Sequence, residues 1–440
     1  MGASKSSELY ARAVRRIPGG TQLLSKRPEL FLPGQWPAYY RRAQGVEVED
    51  LDGRRYVDVT IHAVGACPLG YADPDVESAV IAAVRAGNMA TLNCPEEVEL
   101  AELLCELHPW AEMVRYTRGG GEAMAVAVRI ARAAAGRDRV AFCGYHGWHD
   151  WYLAANLSDG TALDAHLFAG VDPAGVPQGL ACSAVSFPFG DLAAFDALAE
   201  RHGERLAAIV MEPARHGLPP EGYLEHIRQV SRTLGAVLVF DEITSGFRMS
   251  VSGVHRRLGV EPDVAVFAKA MSNGYPMGAV IGRRAVMEAA ARSFVSSTYW
   301  SERIGPAAAL ATIAKLRERN VPDHLIALGE RMRAGWTRLA SRHGLRIVVR
   351  GIPPLSTFAF EHGENSRAMI TLYTQSMLEQ GFLASGAFYC CYAHQPSHLD
   401  AALEAGDRAF AGIRSALDAG RVREALHGDV AQAGPRRRDA

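Results

Sequence analysis

Between residues 113 and 267, short apolar runs alternate with helix-length segments, and few folds accommodate that rhythm. The runs fall at 113–116, 139–142, 207–211, 236–240 and 264–267, with helical periodicity over 122–134, 191–202 and 224–234. Strands joined by helices run parallel, and a parallel sheet is covered on both faces. That explains why the runs are continuously apolar instead of alternating. The expectation is an α/β architecture, a mainly parallel sheet flanked by helices.

The flanks read differently. Residues 8–17 suit a short amphipathic helix stopped by Pro18-Gly19-Gly20. Alternating residues over 38–58, with Asp52-Gly53 as a turn, suit a β-meander. Helical spacing recurs at 75–86 and 96–107, then at 306–319 and 322–343. After Arg346, short strands and helices at 367–380 and 399–417 suggest an α+β subdomain. The domain expectation is therefore an N-terminal segment over 1–70 joining the small domain, a large domain over 71–320, a C-terminal small domain over 321–430 and a frayed tail over 431–440. The length of 440 residues exceeds what one core usually holds.

Lys plus Arg number 47 and Asp plus Glu 48, so no global field calls for nucleic acid or an anionic membrane. Pro435-Arg-Arg-Arg438 reads as a solvated end, with a nucleic-acid arm as the alternative. Seven scattered cysteines form no CxxC pair. No signal-like start and no spanning apolar run is seen, so a cytoplasmic, soluble protein is expected.

Ligands of open α/β sheets bind beyond the carboxyl ends of the strands. Each apolar run here gives way to a chemically dense segment. Tyr116 leads into Thr117-Arg118-Gly119-Gly120-Gly121-Glu122 and a helix. Phe142 leads into Cys143-Gly144-Tyr145-His146-Gly147-Trp148-His149. Met211 leads into Glu212, Phe240 into Asp241-Glu242, and Phe267 into Ala268-Lys269. Gly119, Gly120 and Gly121 could bring backbone N–H groups to a phosphate at a helix start, or form a plain strand-to-helix turn. Tyr145 could stack on a flat ring, or pack on the core. His146 and His149 could pair on a metal, but beyond Asp150 nothing completes a ligand set, and no metal is expected. Asp241, ending a buried strand, needs a partner such as a protonated ring nitrogen, unless it caps a helix or joins an internal ion pair. Lys269 lies among Phe267, Ala268, Ala270 and Met271, where desolvation makes an amine nucleophilic, unless it snorkels from the core. A phosphate, a stacked ring, an acid for a ring nitrogen and a lysine for an aldehyde describe pyridoxal 5′-phosphate.

The ordered set Pro18-Gly-Gly20, Asp50-Leu-Asp-Gly53, Tyr145-His-Gly147, Phe240-Asp-Glu-Ile-Thr-Ser-Gly-Phe-Arg248 and Pro262-Asp263 through Lys269 resembles class III, fold-type I aminotransferases, in the glutamate-1-semialdehyde 2,1-aminomutase-like branch. The likeness runs from about Ser7 to Ile413. It implies a seven-stranded large domain and a small domain built from both chain ends. It implies Lys269 as the Schiff-base lysine that moves the proton between Cα and C4′, and Asp241 on the pyridine nitrogen. Tyr145 and Ile243 would flank the ring, His146 and Glu212 would lie near it, and Gly120 and Gly121 would hold the phosphate. Thr298 would serve the neighbouring subunit's phosphate, which implies a homodimer with shared active sites.

Departures from the family bear on the substrate. The usual Ser-Gly-Thr of the phosphate loop is Gly119-Gly120-Gly121, which removes two hydroxyls. The mutase arginine after Pro-Gly-Gly is missing, and Lys26 or Arg27 is the nearest cation. The stretch Ser385-Gly-Ala-Phe-Tyr389-Cys390-Cys391 has no acid where the mutase carries a gating glutamate. Ile61-His62-Ala63 replaces substrate-side residues. With Lys26, His62, Trp148, His149, Tyr389, Tyr392 and His394 as candidates, the site suits a polyhydroxylated, sugar-like aldehyde or ketone better than a dicarboxylate. The expected reaction is transfer from an amino-acid donor such as glutamate. An aminomutase or epimerase on the same scaffold is the alternative, and a non-catalytic cofactor-binding protein a further one.

Overall fold

The computed structural model describes residues 4–167, 169–214 and 216–434. It divides into two compact units, residues 74–322 and residues 1–73 with 323–440. In chain order the first strands are β1 (Tyr40–Gln44), β2 (Glu47–Asp50) and β3 (Arg55–Asp58). Next come β4 (Met113–Thr117), β5 (Arg139–Cys143), β6 (Ala184–Ser186), β7 (Leu206–Met211), β8 (Val237–Asp241), β9 (Val264–Phe267) and β10 (Gly278–Gly282). The last are β11 (Ile347–Arg350), β12 (Leu355–Phe360), β13 (Phe382–Leu383) and β14 (Ala387–Tyr389).

The larger unit is built on a seven-stranded sheet in the order β4-β10-β9-β8-β7-β5-β6. The run from β9 to β6 is parallel, and β10 pairs antiparallel with both β4 and β9. Every residue of β7, β8 and β9 is buried. Alternate residues serve opposite faces, as the two-residue period of a strand requires. Val140, Phe142, Ala208, Val210, Val237 and Val239 meet the helix Gly120–Ala135 in one core cluster. Ala141, Cys143, Ile209, Met211, Leu238 and Phe240 meet Phe195 and Ile227, from the helices Leu192–His202 and Tyr223–Leu234, in the other. The five sequence-read strands are all present. Those at β6 and β10 are short or glycine-bounded and carried no usable apolar pattern. Gly278 is there because a Cβ would lie 2.5 Å from Thr117 Oγ1.

In the smaller unit β1, β2 and β3 form the expected meander, and β13 adds parallel to β3. Asp50 Oδ1 accepts from the amides of Asp52 and Arg54, which closes the turn at Gly53. The strands β11, β12 and β14 form an antiparallel sheet whose Phe358 and Phe360 pack with Trp336, Tyr373 and Phe410. The expected fraying of the tail needs correction at its start. The Ala431 amide donates to Thr371 Oγ1 at 3.1 Å and the Gln432 amide to Glu29 O at 2.8 Å. Residues 435–440, with the arginine cluster, lie outside the described residues. Among the described residues, no helix is long and apolar enough to cross a membrane.

Candidate active site

The carboxyl ends of β4, β5, β7, β8 and β9 carry the glycine loop, Tyr145-His146, Glu212, Asp241 and Lys269 respectively, all within the larger unit. The helix Gly120–Ala135 starts at the glycine loop. Its first amides have no intrahelical acceptor. Glu122 Oε2 accepts from the amides of Arg118 and Gly119, at 2.9 and 3.2 Å, and ties down the turn before the helix. The amides of Gly120 and Gly121 point the positive end of the helix outward. Packing is tight at both glycines: a Cβ on Gly120 would lie 3.1 Å from Ile243 Cδ1, and one on Gly121 3.1 Å from His149 Nδ1, so each neighbouring side chain would have to shift.

Asp241 is 3% exposed. Its Oδ1 accepts from the Ile243 amide at 3.0 Å, and its Oδ2 takes His146 Nδ1 at 2.8 Å. His146 is itself buried, and its Nε2 has no hydrogen-bond partner among the described residues. Glu212 Oε2 accepts from the Tyr145 amide at 3.0 Å and so fixes the start of the aromatic loop. Gly147 crosses Gly121 so closely that a Cβ would sit 2.7 Å from its Cα, at a φ of +97°. Gly147→Ala should therefore displace the glycine loop. A loss of about 1–3 kcal/mol of stability is expected, as for overpacked sites. Chemical denaturation, with a phosphate-sensitive cofactor titration alongside, would check it.

Lys269 follows β9 in a left-handed conformation, φ +46°, which a non-glycine residue holds only where its surroundings impose it. Its Nζ donates to Thr244 Oγ1 at 2.9 Å. Thr244 escaped sequence reading, although it lies inside the Phe240–Arg248 motif. Arg118 escaped it too. Its guanidinium pairs with Glu302 at 2.7 Å and donates to the carbonyls of Trp300 and Glu302, so the turn Thr298–Ser301 is tied to the glycine loop. Thr298 itself is exposed on that turn.

The substrate candidates are less concentrated. Trp148 is 70% exposed and stacks on His149. With Val128, Arg129 and Arg132 it lines a groove of about 420 Å³ in the larger unit. Lys26 is exposed and Arg27 faces Glu29 at 3.6 Å. Tyr389 ends β14, half-buried, while His394 is buried and His62 is 1% exposed with its ring stacked on Tyr71.

Behind Asp241 lies a buried network that sequence reading missed. Glu242 accepts from the Val254 and His255 amides and from His255 Nδ1, and His255 Nε2 accepts from Trp110 Nε1. His108 donates from Nδ1 to Leu104 O and accepts at Nε2 from the Gly253 amide, so it is neutral. Burial pushes its imidazole down to about 4. The unfolded chain then binds a proton that the folded chain refuses between about pH 6.5 and 4. This stability is complete above 6.5 and falls away as the pH drops towards 4, by about 3 kcal/mol at most. Thermal unfolding should show that acid slope, reduced in His108→Gln.

A largely parallel seven-stranded sheet with one reversed strand, bearing a glycine loop, an aspartate and a lysine on one rim, defines a fold-type I transferase. The class-III aminotransferase family model matches residues 33–394. The 2′-deamino-2′-hydroxyneamine transaminase of Streptomyces kanamyceticus is 33% identical, covering 84% of this chain and 90% of that protein. The glutamate-1-semialdehyde 2,1-aminomutase of Methanothermobacter thermautotrophicus is 34% identical, covering 93% of this chain and 100% of that protein. Among solved structures, the PLP internal aldimine form of the Sphingopyxis sp. MTA144 FumI protein superposes with a TM-score of 0.85 at 27% identity, covering 94% of this chain and 97% of that one. The chain belongs to the class-III aminotransferase family.

Proposed function

We propose that this chain transfers an amino group from an amino-acid donor, such as glutamate, to a carbonyl acceptor of sugar-like character in a biosynthetic pathway. The cofactor is pyridoxal 5′-phosphate, and the observation that carries the reading is the convergence of Lys269, the His146–Asp241 pair and the glycine loop on one rim. The residues fit that group. Free amides at Gly120 and Gly121 suit its phosphate. Asp241, already held by His146 and the Ile243 amide, suits a protonated ring nitrogen. Ile243 and Tyr145 suit its two faces.

Bound pyridoxal phosphate supplies an electron sink for negative charge at the substrate Cα. The chain's own residues do the rest. Lys269 Nζ takes the Cα proton and returns it on the cofactor side, in both half-reactions. Thr244 orients that amine through its 2.9 Å hydrogen bond. Asp241 would hold a positive charge opposite it, and His146 fixes the rotamer of its carboxylate.

A homodimer belongs to this reading, with Thr298 serving the neighbouring subunit's phosphate. In support, Phe294 and Tyr299, on either side of Thr298, are 89% and 67% exposed, and exposed apolar groups of this size mark contact surfaces. Transamination is favoured over isomerisation because the stretch from Ser385 to Cys391, which packs on Thr60 through Ser385 Oγ and the Tyr389 amide, brings no carboxylate. The sugar-like acceptor is supported by the named activity of the Streptomyces relative. Amino acids added one at a time to the loaded enzyme should convert its visible band to the pyridoxamine form, and a panel of sugar aldehydes and ketones should reverse it. Turnover of a single amino-carbonyl substrate without any donor would sink transamination and favour the mutase or epimerase reading.

A further inference from the structure

The smaller unit holds a cluster of chemistry-bearing side chains to which the steps described above give no part. Two segments build it: the end of β3 with its adjoining turn, and the loop after β14. His62, Cys391 and His394 are 1%, 0% and 0% exposed. One ligand atom from each lies within 4.8 Å of the others. Asp58 Oδ2 stands 4.0 Å from His62 Nδ1, and Cys391 Sγ lies 3.2 Å from His394 Nδ1. We propose that His62, Cys391 and His394, with Asp58 as the fourth donor, form a buried structural site for a zinc-type divalent cation.

Three observations support this. The first is the tautomer of His394. Its Nε2 donates to the Asp58 carbonyl at 2.9 Å, which leaves the Nδ1 lone pair facing Cys391. A metal-bound imidazole is typically fixed in this way, its second nitrogen donating to a carbonyl. The second is the backbone. His62, Ala63 and Val64 all have positive φ, at 38°, 52° and 57°. Three consecutive non-glycine residues in that region are costly, and a run of this kind persists where it serves something. Here it turns the His62 ring inward, onto Tyr71 at 4.1 Å and towards Asp58. The third is the support around Asp58, whose Oδ1 accepts from the Thr60 amide and whose Oδ2 accepts from Tyr71 Oη at 2.6 Å.

The donor set selects the ion. Two imidazoles, a thiolate and a carboxylate suit a borderline cation in tetrahedral geometry, whereas calcium and magnesium want oxygen throughout. One thiolate and one carboxylate neutralise a dication, so no net charge is left in a water-excluded place. On binding, the Cys391 thiol releases its proton to solvent. His394 Nδ1 exchanges its hydrogen bond from the Cys391 amide, 3.1 Å long, for the metal bond. Full burial means that the ion enters as the unit folds.

The test is elemental analysis of the purified, desalted holoenzyme after growth with zinc, and again after refolding with zinc or cobalt. One ion per chain is expected, with visible ligand-field bands of tetrahedral cobalt. Cys391→Ser and His394→Gln should each lower the occupancy by more than about tenfold, while the pyridoxal phosphate content per chain stays at the wild-type level. That second readout separates this site from the cofactor reading, which stands or falls on Lys269. Wild-type protein holding only background metal under both conditions overturns the proposal, whatever the variants do. So does a stoichiometry that neither substitution changes, which would mark an adventitious ion only.

Discussion

Lys269→Ala should lower turnover by about 10⁴-fold or more, because it removes the group proposed to move the proton in both half-reactions. The visible band of the lysine-bound cofactor should vanish with it. No other lysine can take over. The chain has four, at positions 5, 26, 269 and 315. Lys5 begins the first helix, Lys26 is exposed on a short turn, and Lys315 is ion-paired with Asp75. Lys269 alone follows a strand of the large sheet, and its left-handed backbone and Thr244 contact fix the direction of its amine. A small amine added to the variant should restore part of the rate, since it can replace the proton carrier but not the tether. Partial rescue with unchanged unfolding would place the loss in chemistry. A variant that keeps the visible band would remove Lys269 from the role assigned to it.

The rim was legible for a physical reason. Parallel strands buried on both faces are continuously apolar, so each carboxyl end is marked by the first polar or glycine residue after a run. Asp241 and Lys269 stood out in this way, and the structure puts them at the ends of β8 and β9, neighbours in the sheet. The antiparallel β10 offered no such boundary, since Gly278 and Gly282 bracket three apolar residues that fit a helix or a strand equally well. Arg118 and Thr244 were hidden for another reason. Their roles come from partners far along the chain, Glu302 for one and Lys269 for the other, and no local pattern reports a contact across 184 or 25 residues. Glu242 was visible only as the companion of Asp241; its bonds to His255, and through it to Trp110, needed coordinates. Of the cluster of Asp58, His62, Cys391 and His394, the sequence brought His62 and His394 together only as substrate candidates; their meeting with Asp58 and Cys391 was out of reach, because β3 and β14 lie more than 300 residues apart in sequence, as the 336-residue separation of Asp58 and His394 shows.

Removing the carboxylate at Asp241 should cost nearly as much as removing the lysine. The side chain is buried and has two fixed partners, so Asp241→Ala strands His146 and, in the loaded enzyme, a positive ring nitrogen. Taking one member from a buried charged pair costs about 3–5 kcal/mol. If that loss falls on the transition state, turnover drops by about 10²–10⁴-fold. Asp241→Asn is the sharper variant. It has the same shape; its Oδ1 can still accept from the Ile243 amide, while its Nδ2 can donate to His146 Nδ1 once that imidazole takes the other tautomer, so folding and phosphate binding should survive within about tenfold, as expected when only a charge is lost. Turnover should still fall steeply, because a neutral amide no longer favours a proton on the ring nitrogen. A cofactor methylated at that nitrogen carries its charge permanently and should therefore recover activity in Asp241→Asn far more than in the parent enzyme. If the natural cofactor works equally well in both proteins, Asp241 serves only to hold the His146 loop, and the electrostatic role passes to another group.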